Sequence, residues 1–176
     1  NPTVSVIIPV YNAQDGIKQC LDSLLNQSFT DFEIILLNDG STDNSLEVIK
    51  KYAAVNDFIR VIDKENEGLS MARNRGVQKS SGKYIIFVDS DDYVSNKLLE
   101  EIDKKIDDSD ILRFQIATED EEYTKINEYH EEGFESMCGY DAFKYLSSYH
   151  FVEPAWCYVI RKNYYIENKF SFKKGV

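Results

Sequence analysis

The run Tyr84-Ile85-Ile86-Phe87-Val88 followed at once by Asp89-Ser90-Asp91-Asp92 constrains this chain more than any other stretch. The apolar half is rich in β-branched and aromatic residues and reads as a strand buried on both faces of a parallel sheet. Three carboxylates in four positions cannot lie in that interior unpaired, so the strand must end there, with the acids at the sheet's carboxyl edge. Ligands of open α/β sheets bind at that edge. If the backbone stays extended, the period of two puts Asp89 and Asp91 on one side, facing one object. A hard divalent cation suits them, since Mg²⁺ and Mn²⁺ take oxygen ligands and Mg²⁺ completes its shell with water and phosphate oxygens. Taken alone, an Asp-x-Asp after a strand is more often a helix cap or a turn.

The rest of the chain repeats the pattern. Val4 to Val10 reads as a first strand closed by Pro9, with Tyr11 and Asn12 at its carboxyl end. Asn12 is an expected N-cap for a helix with Ile17, Leu21, Leu24 and Leu25 at helical spacing. Glu33 to Leu37 is a second strand, ending in Asn38-Asp39-Gly40-Ser41-Thr42-Asp43. A helix with Leu46, Ile49 and Ala53 on one face follows, and Asn44-x-x-Glu47 spells a capping box. Ile59 to Ile62 is a third strand, and a turn and helix through Asn66 to Val77 carry Arg73 and Arg75. Beyond the organising strand come a helix from Lys97 to Ile106 and a strand around Ile111 to Ile116. Strand and helix alternate through the first hundred residues, which predicts a mostly parallel sheet with helices on both faces and brings Tyr11, Asp39 and Asp89 to Asp92 to one edge.

From 118 to 135 the sequence is acidic and aperiodic and reads as a loop. From Met137 onward aromatics crowd in, from Phe143, Tyr145, Tyr149 and Phe151 to Trp156, Tyr158, Tyr164, Tyr165, Phe170 and Phe172; such density is usually core, with Trp156 and its neighbours the best candidates for sugar stacking. His130 and His150 have no partner spacing and receive no role.

Charge narrows the partners. Thirty-one acids against 20 bases give a net charge of −11, which argues against nucleic acid and anionic membrane surfaces. An anionic substrate would need a metal to offset its charge. No apolar run approaches a membrane span or the core of a signal peptide. Three cysteines, Cys20, Cys138 and Cys157, odd in number and without metal-like spacing, point to a reducing compartment. The 176 residues suffice for one domain. An opening at Asn1 without Met and a stop at Val176 read as a piece of a longer chain.

Four segments now carry a resemblance. Val6-Ile7-Ile8-Pro9-Val10-Tyr11-Asn12, Asn38-Asp39-Gly40-Ser41-Thr42-Asp43, Asn66-x-Gly68-x-Ser70-x-Ala72-Arg73-Asn74-x-Gly76 and Phe87-Val88-Asp89-Ser90-Asp91-Asp92, in that order, resemble the motifs of family 2 glycosyltransferases of the GT-A fold. Trp156 to Lys162 and Phe170-Ser171-Phe172-x-x-Gly175 resemble, more loosely, the acceptor half of bacterial members that build capsule or lipopolysaccharide sugars.

The resemblance implies an α/β, Rossmann-like GT-A domain, with a nucleotide-sugar-binding half over 1–95, the acidic loop over 118–135 and a partial acceptor-binding half over 136–176. It implies an inverting transfer from a nucleotide-diphosphate sugar, with uridine the favoured base, to a hydroxyl of a glycan or lipid-linked acceptor. The work would fall in the cytoplasm or at the inner face of the membrane, with any peripheral membrane association supplied by other segments. By the family's pattern Asp91 is the direct ligand of Mn²⁺ or Mg²⁺, and Asp89 faces the ribose and reaches the metal through water. Asp39 accepts a hydrogen bond from the nucleobase, Tyr11 stacks on it, and the backbone near Pro9 lines its slot. Arg73 offsets the nucleotide's charge, Ser90 belongs to the same nucleotide-binding set, and Arg75 reads equally as a surface residue. The general base, a carboxylate of a Glu-Asp pair, is expected beyond Val176, and neither Glu153 nor Glu167 is assigned to it. Two other readings stay open: a non-catalytic module binding nucleotide sugars or glycans, and a Mg²⁺-dependent phosphoacceptor signalling domain. The latter would need acids after the first strand, where this chain has Pro9-Val10-Tyr11-Asn12.

Overall fold

The computed structural model describes residues 1–106, 108–113 and 155–174. The acidic stretch 118–135, the proposed continuation of the strand to Ile116, Cys138, both histidines, Glu153, Gly175 and the aromatics from Phe143 to Phe151 lie outside these residues, as does the side chain of Trp156.

Among the described residues six strands form one sheet, in the order β3 (Ile59–Lys64), β2 (Phe32–Asp39), β1 (Val4–Val10), β4 (Tyr84–Phe87), β6 (Tyr158–Arg161) and β5 (Ile111–Arg113). Strands β1, β2, β3 and β4 are mutually parallel. The sheet continues through β6, antiparallel to β4, and β5, antiparallel to β6. The expected strand near Ile111 therefore does extend the layer, but at one remove, because a strand from the aromatic segment inserts beside β4. Nothing in the local pattern of Tyr158 to Arg161 marked that pairing, which depends on a partner more than 70 residues away.

Every residue of β1, β2 and β4 is buried, as their apolar centres require when helices cover both faces. The polar residues Ser5, Glu33, Asn38 and Asp39 near their ends are buried with hydrogen-bond partners. Alternation then sorts the side chains. Val4, Val6, Ile8 and Val10 of β1 pack with Ile34, Leu36 and Ile86 under α1 (Ile17–Leu25), α2 (Ser45–Ala53) and α4 (Leu98–Lys105). On the opposite face Ile7, Ile35, Leu37, Ile85 and Phe87 pack under α3 (Leu69–Lys79), Tyr165 of α5 (Lys162–Glu167) and Phe172. Each such fully buried aliphatic side chain contributes about 1.5–3 kcal/mol relative to exposure.

Helix α3 approaches the sheet closely because residue 76 is glycine. A Cβ there would lie 2.3 Å from Ile7 Cγ2 and 3.0 Å from Leu37 Cδ1. That close seat holds the preceding turn of α3, with Arg73 and Asn74, against the carboxyl ends of the strands.

Proline in a central strand also has a geometric explanation. The Ile7 carbonyl accepts from Val88 N–H at 3.1 Å, so odd-numbered residues of β1 direct their backbone groups toward β4. Pro9 falls two residues on, where β4 has ended and no ladder bond is forfeited. The strand runs one residue past it, to Val10.

Two expected helix caps are different in the structure. Asn12 is not the N-cap of α1, a position held by Gly16 without a side-chain cap; Asn12 takes a left-handed conformation at φ 49°. Its Oδ1 instead accepts from Thr42 N–H at 2.8 Å. Asn44 and Glu47 form no capping box: the Asn44 side chain makes no cap bond, and Glu47 pairs with Lys51 at 2.7 Å. Asp43, one residue earlier, takes over, its Oδ1 accepting from Ser45 N–H at 2.9 Å.

Candidate active site at the carboxyl edge of the sheet

The loops after β1, β2 and β4 lie side by side, since β1 pairs with β2 on one flank and β4 on the other. The first two are laced together. Asn12 N–H donates to Ser41 Oγ (3.1 Å), Ala13 N–H to Ser45 Oγ (2.8 Å) and Gln14 N–H to Asp43 Oδ2 (3.1 Å), while Asn44 N–H donates back to Gln14 Oε1 (3.2 Å). Much of the Asn38-to-Asp43 motif thus builds the edge. Hydrogen bonds from Ser45 and Gln14 outweigh desolvation and hold the Asp43 carboxyl below its usual range. Tyr11, at the tip of β1, stands 53% exposed, free to offer its ring to a planar group.

Asp39 is buried at the end of β2. Its Oδ1 accepts from the Lys64 ammonium and from Glu67 N–H (2.9 Å), and its Oδ2 from Gly68 N–H (2.8 Å). Burial opposes its ionisation, but Lys64 and the two backbone donors prevail and hold its carboxyl below the ordinary value. Gly40 turns the chain at φ 70°. Asp39 therefore anchors the turn that launches α3, and Lys64, two residues beyond the strand expected over Ile59 to Ile62, is its ionic partner. Lys64 also reaches Glu67 Oε2 at 3.1 Å. Arg75, half exposed, lies 4.0 Å from the same carboxylate, in keeping with a surface residue.

The acidic motif after β4 is not extended. Strand β4 stops at Phe87, and Asp92 N–H donates to the Asp89 carbonyl at 3.1 Å, closing a turn over Ser90 and Asp91. The period-two argument for Asp89 and Asp91 facing one object therefore fails. Each of the three acids has its own environment. Asp89 Oδ1 accepts from Arg73 Nη2 at 2.7 Å, with the two side chains 28% and 11% exposed. Asp91 is exposed and has neither hydrogen bond nor ion pair among the described residues. Burial, then the charges of Asp91 and Asp89, push the Asp92 carboxyl up.

Two residues that sequence reading gave no role shape this turn. Cys20 of α1 is a buried thiol whose S–H donates to the Asp89 carbonyl at 3.6 Å. Burial, with Asp92, Asp91 and Asp89 adding to it, pushes its pKa up to about 12, so it remains a protonated donor. Gly16 leaves the room the turn occupies: a Cβ there would meet Asp91 Cα at 3.0 Å and the Ser90 carbonyl oxygen at 3.3 Å. A glycine before a helix is too common for sequence alone to have flagged it.

Among the described residues no group of three or more His, Cys, Asp or Glu side chains converges as a complete ligand set. The donor chemistry nevertheless fits a hard divalent cation that brings its other ligands with it. Asp91 is an exposed carboxylate, unpaired among the described residues, with Asp89 and Asp92 beside it in the same turn, and carboxylate oxygen is the donor type that such a cation takes.

An open, mostly parallel α/β sheet with helices on both faces and an acid-tipped β4 defines the GT-A class of fold. The comparisons agree. S. aureus TarS 1-349 in complex with UDP-GlcNAc superposes with a TM-score of 0.73 over 99% of this chain and 49% of that one, at 24% identity. The mannosyltransferase PcManGT from Pyrobaculum calidifontis, in complex with GDP-Man and Mn²⁺, does so with a TM-score of 0.72 over 100% of this chain and 49% of that one, at 17% identity. The model of Glycosyl transferase family 2 matches residues 5–167, and the chain belongs to that family. It is 52% identical over 91 residues to the uncharacterized glycosyltransferase YibD of Escherichia coli strain K12; the match takes in 52% of this chain but 26% of that protein. Membership of the family sets aside the phosphoacceptor reading, and β1 indeed ends without acids.

Proposed function

We propose that this chain is the donor-binding domain of an inverting glycosyltransferase that moves a sugar from a nucleotide-diphosphate sugar, UDP-linked in the first instance, to a hydroxyl of a glycan or lipid-linked acceptor during cell-surface polysaccharide synthesis. The observation that carries the reading is the convergence of Tyr11, Asp39, the Arg73–Asp89 pair and unpaired Asp91 at the carboxyl edge of three adjacent parallel strands. Such an edge is where open α/β sheets bind nucleotides, and these groups match the parts of a nucleoside diphosphate. UDP-GlcNAc and GDP-Man bound to structural neighbours support the donor class, and the Mn²⁺ in one of them supports the metal.

Tyr11 supplies an exposed ring for the base. Asp39 Oδ2 receives a single donor, leaving a lone pair for a base N–H. The backbone around Pro9 lines the base's slot, Asp89 faces the ribose, and Ser90 lies in the turn between the two acids. Arg73 brings positive charge to the diphosphate. Asp91 would hold Mn²⁺ or Mg²⁺ directly, and Asp89 would support it from the other end of the turn. That cation, when bound, stabilises the charge growing on the leaving diphosphate. In the transfer the acceptor oxygen attacks the anomeric carbon from the side opposite the diphosphate. The glycosidic C–O bond breaks with its electron pair leaving on the nucleoside diphosphate, and the hydroxyl proton passes to a general base outside the described residues. No described helix is long and apolar enough to cross a membrane, and we place the reaction in the cytoplasm, at the inner membrane face where the acceptor is lipid-linked.

The test is calorimetric titration of UDP with Mn²⁺, then with a chelator, on the wild type and on Asp91→Ala, with GDP and TDP as competitors. Metal-dependent binding that Asp91→Ala abolishes is expected. No nucleotide binding by the folded wild type would overturn the reading.

A further inference from the structure

The residues of Ala72-Arg73-Asn74 divide three tasks between them. Ala72 is buried against the sheet, Arg73 reaches Asp89, and Asn74 turns the other way. Its Nδ2 donates to the Phe172 carbonyl at 2.8 Å, and its Oδ1 accepts from Phe172 N–H at 2.9 Å. This pairs one side chain with both backbone groups of a single residue 98 positions away. It pins Phe172 so that its ring lies beneath the Arg73 guanidinium, 5.4 Å from centroid to Cζ. The same ring stands edge-on to Phe87, the last residue of β4, at 5.2 Å and 86°.

The guanidinium is therefore held from two sides: by Asp89 through one nitrogen and by an aromatic face beneath. Its Nε is buried with no hydrogen-bond partner among the described residues, and the ring under Cζ is a favourable neighbour for the cation. A free arginine has four side-chain torsions to fix, and a single ion pair does not fix them. Stacking on a ring that is itself clamped does.

We propose that Phe172, clamped by Asn74, is a positioning residue that orients Arg73 toward Asp89 and so toward the donor diphosphate. For that last consequence the inference rests on the function proposed above. The later part of the chain thereby completes the donor site that the first 95 residues otherwise build, so donor binding depends on how the segment after α5 is seated.

The test separates this from the proposed function by reading Arg73 directly. In ¹⁵N-labelled wild type, the Arg73 Nε–H gives a solvent-protected signal, assigned by its disappearance in Arg73→Lys. Phe172→Leu and Asn74→Ala are expected to lose that protection while the methyl spectrum stays folded, and Phe172→Tyr, which keeps the ring, retains it. Calorimetry follows: UDP with Mn²⁺ is expected to bind about fivefold more weakly to Phe172→Leu, from the loss of one desolvated cation–π contact, with uridine affinity unchanged. An Arg73 signal unchanged in Phe172→Leu, or absent from the wild type, would overturn the proposal whether or not UDP binds. Equal weakening of UDP and uridine would overturn it too, pointing to general loosening of the fold. A wild type that shows the protected signal yet binds no UDP would instead overturn the proposed function, while the orientation of Arg73 by Phe172 would stand.

Discussion

Arg73 Nη2 meets Asp89 Oδ1 at 2.7 Å, tying α3, which covers one face of the sheet, to the turn that follows its central β4. From the other face Cys20 of α1 donates to the carbonyl of the same aspartate. Asp89 is thus gripped through its side chain by one layer and through its backbone by the other, and the turn bearing Asp91 inherits that rigidity.

Removing Arg73 should cost both stability and binding. Arg73→Ala strands Asp89 beside Asp91 and Asp92, and should lower the unfolding free energy by about 1–3 kcal/mol, the cost of leaving a partly buried hydrogen-bonded charge unsatisfied. Urea denaturation measures it, and a midpoint equal to that of the wild type would contradict the pairing.

Asp91 should behave in the opposite way. It is exposed and unpaired among the described residues, and its charge adds to the burial that raises Asp92. Asp91→Asn should leave the thermal midpoint unchanged or slightly higher while removing the Mn²⁺-dependent part of UDP affinity. Differential scanning calorimetry beside the titration checks both, and a large drop in the midpoint would mean that Asp91 has a structural role.

Asp39→Asn leaves the nearly buried Lys64 ammonium without its main counter-charge. Breaking one side of such a pair should destabilise the fold by about 3 kcal/mol. The double variant Asp39→Asn with Lys64→Met should recover much of that loss in chemical denaturation; no recovery would show that the backbone bonds to Glu67 and Gly68, rather than the ion pair, carry the energy.

Glu33 predicts the acid limb of the stability curve. At the amino end of β2 it opposes its own desolvation by accepting from Ser5 Oγ (2.7 Å), Ser81 N–H (2.6 Å) and Ser81 Oγ (2.7 Å), with Arg60 at 3.4 Å, and its pKa lies below the ordinary 4.5. A carboxyl depressed on folding contributes stability above its unfolded pKa and loses it as pH falls through the folded one. Wild-type stability should therefore fall below pH 4.5. Glu33→Gln should show a shallower decline over that window in pH-dependent denaturation.

Gly16→Ala should separate geometry from charge. The new methyl meets backbone atoms of Ser90 and Asp91, which must retreat by a few tenths of an ångström, and at this N-cap position alanine is also less favourable than glycine. Weakening of Mn²⁺-dependent UDP binding by about threefold or more, with uridine affinity preserved, is expected, since small displacements of positioned groups are costly. Unchanged affinity would show that the turn has room to spare.

The parallel core was legible in the sequence because local pattern encodes it. Val6 to Val10, Ile34 to Leu37 and Tyr84 to Phe87 are apolar runs followed by polar turns, and that signature needs no partner to be read. The grouping of Tyr11, Asp39 and Asp89 at one edge followed from the parallel order of the strands. Family motifs added the expectation of a donor site at these same residues. What failed were inferences that assumed local backbone shape: the extended Asp89–Asp91, the cap at Asn12 and the capping box at Asn44. Asn12 found a partner in Thr42 of the neighbouring loop, Asp89 in Arg73 of α3, and Ser45 N–H in Asp43, one residue before the expected cap.

Alone, then, the sequence determined which segments up to the strand near Ile111 become strands and helices and which acids fall at the carboxyl edge, since hydrophobic periodicity and the cost of burying charge act over a few residues. Tertiary structure decided the rest. It placed β6 between β4 and β5, paired Lys64 with Asp39 and Arg73 with Asp89, opened space for Asp91 at Gly16, and clamped Phe172 under Arg73 through Asn74. These are contacts between residues 16 to 98 positions apart. Their energies depend on distance, burial and orientation, which exist only once the chain has closed on itself.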